Sequence, residues 1–203
     1  MAKVYEIDGM IPVIDRTAYV HADAIIIGNV VIGPGCYIGP AASLRGDFGR
    51  LTIEQGVNIQ DTCVLHGFPD GETVIEQDGH IGHGAIIHGC RIKRNALVGM
   101  NAVVMDDAVI GESAIVGALS FVPAGFVLPD RHLAVGVPAR ILRQLSDADI
   151  AWKTSATEEY QALARRCRTS MRPVQPLREI PEASRTIAAP NRVKPLHRTR
   201  GEN

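Results

Sequence analysis

The sequence predicts a mainly β protein: a parallel β-helix of hexapeptide repeats, then a single C-terminal α-helix and an extended tail. Three observations predict it. Aliphatic residues recur at a spacing of six over more than half of the chain. A small residue recurs two positions before most of them. Aromatic residues make up only 4% of the 203 positions, so the core must come from stacked small units and not from large rings.

Residues 1–14 carry no repeat and read as an N-terminal segment; the coil domain reads as 15–140. Its rungs fall at Val20, Ile26, Ile32, Ile38 and Leu44. After a three-residue insertion they resume at Ile53, Ile59 and Leu65, and after a longer one at Ile75, Ile81 and Ile87. One short step gives Ile92, and Val98, Val104, Ile110, Val116, Val122 and Leu128 follow six apart, eighteen rungs in all. The small column includes Ala24, Cys36, Ala42, Cys63, Ala85, Cys90, Ala96, Ala102, Ala108 and Ala114. A period of six is neither the helical 3.6 nor the strand alternation of 2. It suits short strands joined by tight turns, each presenting one large and one small residue inward, so that every coil buries the next. The pattern resembles the left-handed β-helix of the hexapeptide-repeat family, in which three hexads make one triangular coil. By that resemblance the eighteen rungs make about six coils.

Ser146 opens the string SDAD, with Asp149 three residues on, a capping-box-like helix start. Tyr160, Leu163, Ala164, Cys167 and Met171 then recur at helical spacing. A helix from about Asp147 to Ser170, within 146–171, is expected to pack on the coil. Residues 172–203 are rich in Pro and Arg without apolar period, and read as an extended or mobile tail.

The formal net charge is -1, which gives no electrostatic case for nucleic acid or a membrane surface. The N-terminus shows no secretory h-region, and no apolar run approaches the roughly 18 residues of a membrane span. The four cysteines form no CxxC pair, and Cys36, Cys63 and Cys90 occupy the small inward column as buried filler. A cytoplasmic protein with reduced thiols is the expectation.

The repeat also places the histidines. Leu44, Leu65 and Ile87 are three rungs apart, so on the three-hexad coil they stack on one face, and Arg45, His66 and His88, each one residue later, form an outward column. Neighbouring coils lie roughly 4.8 Å apart, close enough for two imidazoles to share a metal. His83 falls two residues past Ile81, near a corner of the preceding face, and points away from that column. Side-by-side packing of three prisms would bring this corner to a neighbour's face and complete a three-histidine site with positions open to water, the catalytic type of zinc site. His21, His80, His132 and His197 lie outside the pattern.

The strings RGD (Arg45–Asp47), NIQDTCVLH (ending at His66) and HGAIIH (His83–His88) resemble the γ-class carbonic anhydrases. The resemblance implies that His66, His83 and His88 bind zinc, or iron or cobalt, between the subunits of a homotrimer. It implies that Gln60 orients the metal-bound water. It also implies that Arg45 and Asp61 form a subunit-joining ion pair, with Asp47 in the same network. The strings SLRGDFGRL, NIQDTCVLHGFP, GHIGHGAIIHGC, NALVGMNAVVMD and AWKTSATEEYQ are similar to a narrower branch of that family, associated with phenylacetate degradation and carnitine metabolism. That branch implies a thioesterase releasing coenzyme A from ring-hydroxylated aromatic thioesters. GVPAR at Gly136–Arg140 resembles the end of many hexapeptide acyltransferases that bind CoA.

A metal held by neutral imidazoles lowers the pKa of bound water from about 15.7 toward about 7, and the resulting hydroxide can attack CO₂ or a thioester carbonyl. The expected function is therefore a metal-dependent acyl-CoA thioesterase. The alternatives are a carbonic anhydrase, a protein of carnitine metabolism, a non-enzymatic trimeric scaffold and, more weakly, an acyltransferase. Only sixteen residues separate His66 from His83, too few for the long acidic loop of the prototype anhydrase, and Phe48 stands where that enzyme has an acid. Glu72 and Glu76, with Asp70 and Asp78 nearby, are the candidate proton shuttles.

Overall fold

The computed structural model describes residues 2–181, 193, 194 and 198. Short parallel strands wind into a three-faced solenoid, each hydrogen-bonded to the equivalent strand one coil earlier and one coil later. Residues in register form one inward column on each face. The first runs Val4, Ile26, Leu44, Leu65, Ile87, Val104, Val122. The second runs Ile14, Ile32, Ile53, Ile75, Ile92, Ile110, Leu128. The third runs Val20, Ile38, Ile59, Ile81, Val98, Val116, Ala134. From Ile26 to Leu128 every rung on the first two faces is essentially sealed from solvent, as are the small residues beside them. Each fully buried aliphatic side chain contributes about 1.5–3 kcal/mol.

The solenoid has seven coils, one more than the repeat count gives, because both ends depart from the pattern. Strands Lys3–Tyr5 and Val13–Ile14 of the N-terminal segment stack beneath Ile25–Ile32. Among the described residues no further coil pairs below them, so their residues stay largely exposed and need no inward alternation. At the other end His132–Gly136 continues the third face, with Ala134 in the rung position, and pairs antiparallel with Ala139–Gln144. GVPAR is the turn of that hairpin. An antiparallel strand ends the parallel stack and protects its edge.

The helix spans Asp147–Ser170. Asp149 N donates to Ser146 Oγ (3.2 Å) and Ser146 N to Asp149 Oδ2 (3.0 Å), so the capping box is formed. Arg143 grips the Asp149 carboxylate at 2.8 and 3.1 Å, tying the helix start to the terminal hairpin and holding that carboxyl well below the usual range. Tyr160, Leu163, Ala164 and Cys167 pack with Tyr19 and Tyr37 against the third face. Residues 172–181 carry no regular structure and are exposed; most of the expected tail lies outside the described residues. No described helix is long and apolar enough to cross a membrane.

Candidate metal centre

His66 and His88 are register partners on the first face, one past the buried rungs Leu65 and Ile87. Their ring centroids lie 5.4 Å apart at 59°. Asp47 Oδ1 is 2.9 Å from His66 Nε2, while Asp47 Oδ2 accepts from Arg45 at 3.0 Å, so one carboxylate joins two of the three members of the outward column. Asp106 Oδ1 is 2.6 Å from His88 Nδ1. These contacts leave His66 Nδ1 and His88 Nε2 with no hydrogen-bond partner among the described residues.

Each break in the repeat supplies part of this arrangement. The insertion after Leu44 displaces the register between Gly28 and Val30 of the coil below and carries Asp47 and Phe48 outward. The insertion after Leu65 carries Phe68. Both phenylalanines are exposed, at 64% and 62%, yet their rings sit 5.3 Å from His66 and 5.2 Å from His88. A phenyl ring therefore brackets the imidazole pair at each end. The short step after Ile87 is made by Gly89, at φ +54°, where a Cβ would fall 2.2 Å from Asp106 Oδ1. Glycine is needed there for Asp106 to reach His88. Buried Thr73 fastens the two histidine strands, donating to His66 O (2.7 Å) and accepting from Gly89 N (3.0 Å).

His83 occupies the corner between the third and first faces. The corner residues Ala41, Thr62, Gly84, Asn101 and Leu119 all have positive φ. Four of them are held there by a bond to the coil below, as when Asn101 N donates to His83 O at 2.9 Å. Asp61 Oδ2 is 2.6 Å from His83 Nδ1, and Tyr160 of the helix reaches His83 Nε2 at 3.3 Å. Gln60, buried beside it, accepts from His83 N at 3.2 Å and gives its amide to Asn58 (3.0 Å) and His80 Nε2 (2.8 Å). Burial pushes His80 down to about 3, so it stays neutral and links Gln60 to Thr157 of the helix (3.2 Å).

Within one chain the structure thus brings Arg45, Asp47, His66 and His88 together and keeps Gln60, Asp61 and His83 apart from them. Arg45 pairs with Asp47, and Asp61 with His83, so no Arg45–Asp61 pair forms inside the chain. No group of three His, Cys, Asp or Glu side chains among the described residues converges on one metal position. Glu76 lies beyond the second face, held by Arg91 at 2.8 Å and Arg94 N at 3.0 Å. Glu72 accepts from Thr52 at 2.7 Å and lines a cleft with Phe68 and Asp106. Periodicity alone assigns no site role to Asp106 or Thr73 and does not show the contact from Tyr160. Asp106 carried a signal, since it lies two past Val104, the rung directly above Ile87.

The fold and these side chains define a hexapeptide-repeat β-solenoid protein with three carboxylate-backed histidines. Residues 89–124 match the family model described as bacterial transferase hexapeptide (six repeats). The chain is 53% identical over 191 residues to the carnitine operon protein CaiE of Citrobacter koseri, covering 94% of this chain and 97% of that one. It is 53% identical to CaiE of Salmonella newport, covering 94% and 96%. It belongs to the CaiE/PaaY hexapeptide-repeat family. Among solved structures, a putative acetyltransferase of Bacillus cereus superposes with TM-score 0.82 at 33% identity, covering 83% of this chain and 98% of that one. A hexapeptide transferase family protein of Anaplasma phagocytophilum superposes with TM-score 0.78 at 37% identity, covering 80% and 96%.

Proposed function

We propose that this protein is a metal-dependent hydrolase that releases coenzyme A from acyl thioesters. In this reading it works as a homotrimer, with zinc (or iron or cobalt) held by His66 and His88 of one chain and His83 of a neighbouring copy. The observation that carries the reading is the carboxylate behind each histidine: Asp47, Asp106 and Asp61, all within 2.9 Å. Such carboxylates fix ring orientation and raise the basicity of a metal-bound imidazole. The donor set suits a borderline-soft divalent metal, and its division between a face and a corner is what this reading answers with a second chain.

When bound, the metal supplies Lewis acidity that acidifies water and polarises a carbonyl. The chain's own residues do the rest. Asp47 and Asp106 hold His66 and His88. Gln60, locked by Asn58 and His80, holds the His83 backbone. Phe48 and Phe68 flank the imidazole pair with apolar rings. Thiolate is a good leaving group, so no separate acid is needed. Fast CO₂ hydration needs a group free to carry protons away on every turnover. Glu76 is held by Arg91 and Arg94, and Glu72 by Thr52, so neither of these two carboxylates stands free as a shuttle. The relatives are named for a carnitine operon, and that name does not fix the acyl group this chain would take.

A second reading is acyl transfer, favoured by the Asp61–His83 dyad as a general base and by the acetyltransferase name of the Bacillus cereus structure. Metal analysis, CoA release from a panel of thioesters with and without amine acceptors, and stopped-flow CO₂ hydration separate the readings. Metal-dependent CoA release without an acceptor is expected. Acceptor-dependent release that survives chelation would establish transfer instead.

A further inference from the structure

The third face carries an outward column that changes character half-way along. Register partners run Tyr19, Tyr37, Asn58, His80, Leu97, Ile115, Leu133. Over the first four the helix sits tightly. Tyr160 packs on Tyr37 and His80, each at 5.4 Å between centroids. Lys153 donates to Asp78 O and Asn95 Oδ1, both at 2.7 Å, and Gln161 to Gly56 O at 3.1 Å. Over the last three the same helix stands off. Trp152, Ala156 and Tyr160, four residues apart on one stripe, line a cavity of about 460 Å³ together with Leu97, Ile115 and Leu133.

The volume lies in the range of small-molecule sites, and the walls are unusual for an outward face: three stacked aliphatic residues and a tryptophan. At one end the cavity reaches Gln60 and His83. At the other lie Arg143 and Asp149, which neutralise each other. We propose that this groove receives the acyl group of the substrate, as an uncharged apolar group larger than acetyl, with its carbonyl at the His83 end. The proposal rests on the thioester reading. The pantetheine arm of CoA is a poorer occupant, because its two amides need partners that the aliphatic column lacks. A trimethylammonium group is poorer too. Trp152 and Tyr160 stand two helical turns apart with Ala156 between them, so they form no aromatic cage.

The test is calorimetric binding of non-hydrolysable CoA thioethers to the full-length, zinc-loaded protein. S-benzyl-CoA is expected to bind at least about tenfold tighter than S-methyl-CoA, the effect of burying a phenyl ring. Ala156→Phe, which fills the groove, should abolish that preference while leaving zinc content unchanged, since Ala156 touches none of the three histidines. Leu97→Thr should reduce the preference without adding volume, and stands in if Ala156→Phe fails to fold. Equal binding of the two thioethers, no binding of either, a preference that survives both variants, or a trimethylammonium thioether matching the benzyl one would overturn the proposal. Thioester hydrolysis without the preference would reject the groove alone; the preference without hydrolysis would reject the thioesterase reading alone.

Discussion

From Ile92 to Leu128 the repeat runs unbroken, whereas between Leu44 and Ile92 it breaks three times. The regular stretch builds stacking and little else: its rungs and small residues are buried and its strands are two residues long. The broken stretch is equally well buried inside, yet each interruption delivers a chemical group to the outside. The first brings Asp47 and Phe48, the second Phe68, and the third lets Asp106 approach His88. A strict period satisfies the backbone and the core and leaves no slack. Departures from it, tolerated because neighbouring coils still pair, are where polar side chains can be aimed.

The comparison predicts that damage in the two stretches has different consequences. The largest effect is expected for His88→Ala, which should lose bound metal and reduce CoA release by at least about 100-fold. Its circular dichroism should match the parent, because His88 points outward; full metal occupancy in the variant would reject its role as a ligand. Ile110→Ala, in the regular stretch, should do the reverse. Truncating that fully buried side chain should cost about 2–5 kcal/mol in urea unfolding and leave metal stoichiometry intact.

Smaller effects sharpen the contrast. Asp106→Asn should weaken metal affinity by about 10–100-fold with little change in unfolding. Gly89→Ala should weaken it comparably, since the new Cβ would displace the Asp106 carboxylate. The double variant should be no worse than the poorer single one, because both act through one hydrogen bond; additive losses would show that Gly89 matters for another reason.

A separate effect, on stability and not on metal, concerns the helix over the third face. Burial pushes Lys153 down to about 7 from its ordinary 10.5. Between those values the unfolded chain binds more protons than the folded one, so stability should rise with pH from about 7 to 10. Lys153→Met should flatten that rise in urea titrations; an unchanged slope would place its origin elsewhere. His80, pushed down to about 3 from 6.5, gives the same sign at acid pH: stability falls as pH drops through that window.

Much of this was legible in the residues alone. The period of six gave the solenoid, its inward columns and the buried cysteines. Counting rungs in threes, by the family resemblance, placed His66 above Arg45, His88 above His66, and His83 at another corner. These follow because a repeat is a local constraint: once the spacing is set, stacking one coil on the next decides what is inside and what shares a face. The first and seventh coils escaped, since an end coil has one neighbour and needs no full inward pattern. The partners of each histidine escaped as well. Asp47, Asp61 and Asp106 lie 19, 22 and 18 residues from the imidazoles they hold, and insertion length and side-chain rotamer, not periodicity, decide which of them arrive. Tyr160, 77 residues from His83, and the groove beside it depend on how the helix seats across the third face. That seat is fixed by the Lys153, Thr157 and Gln161 contacts, which only the folded chain brings together.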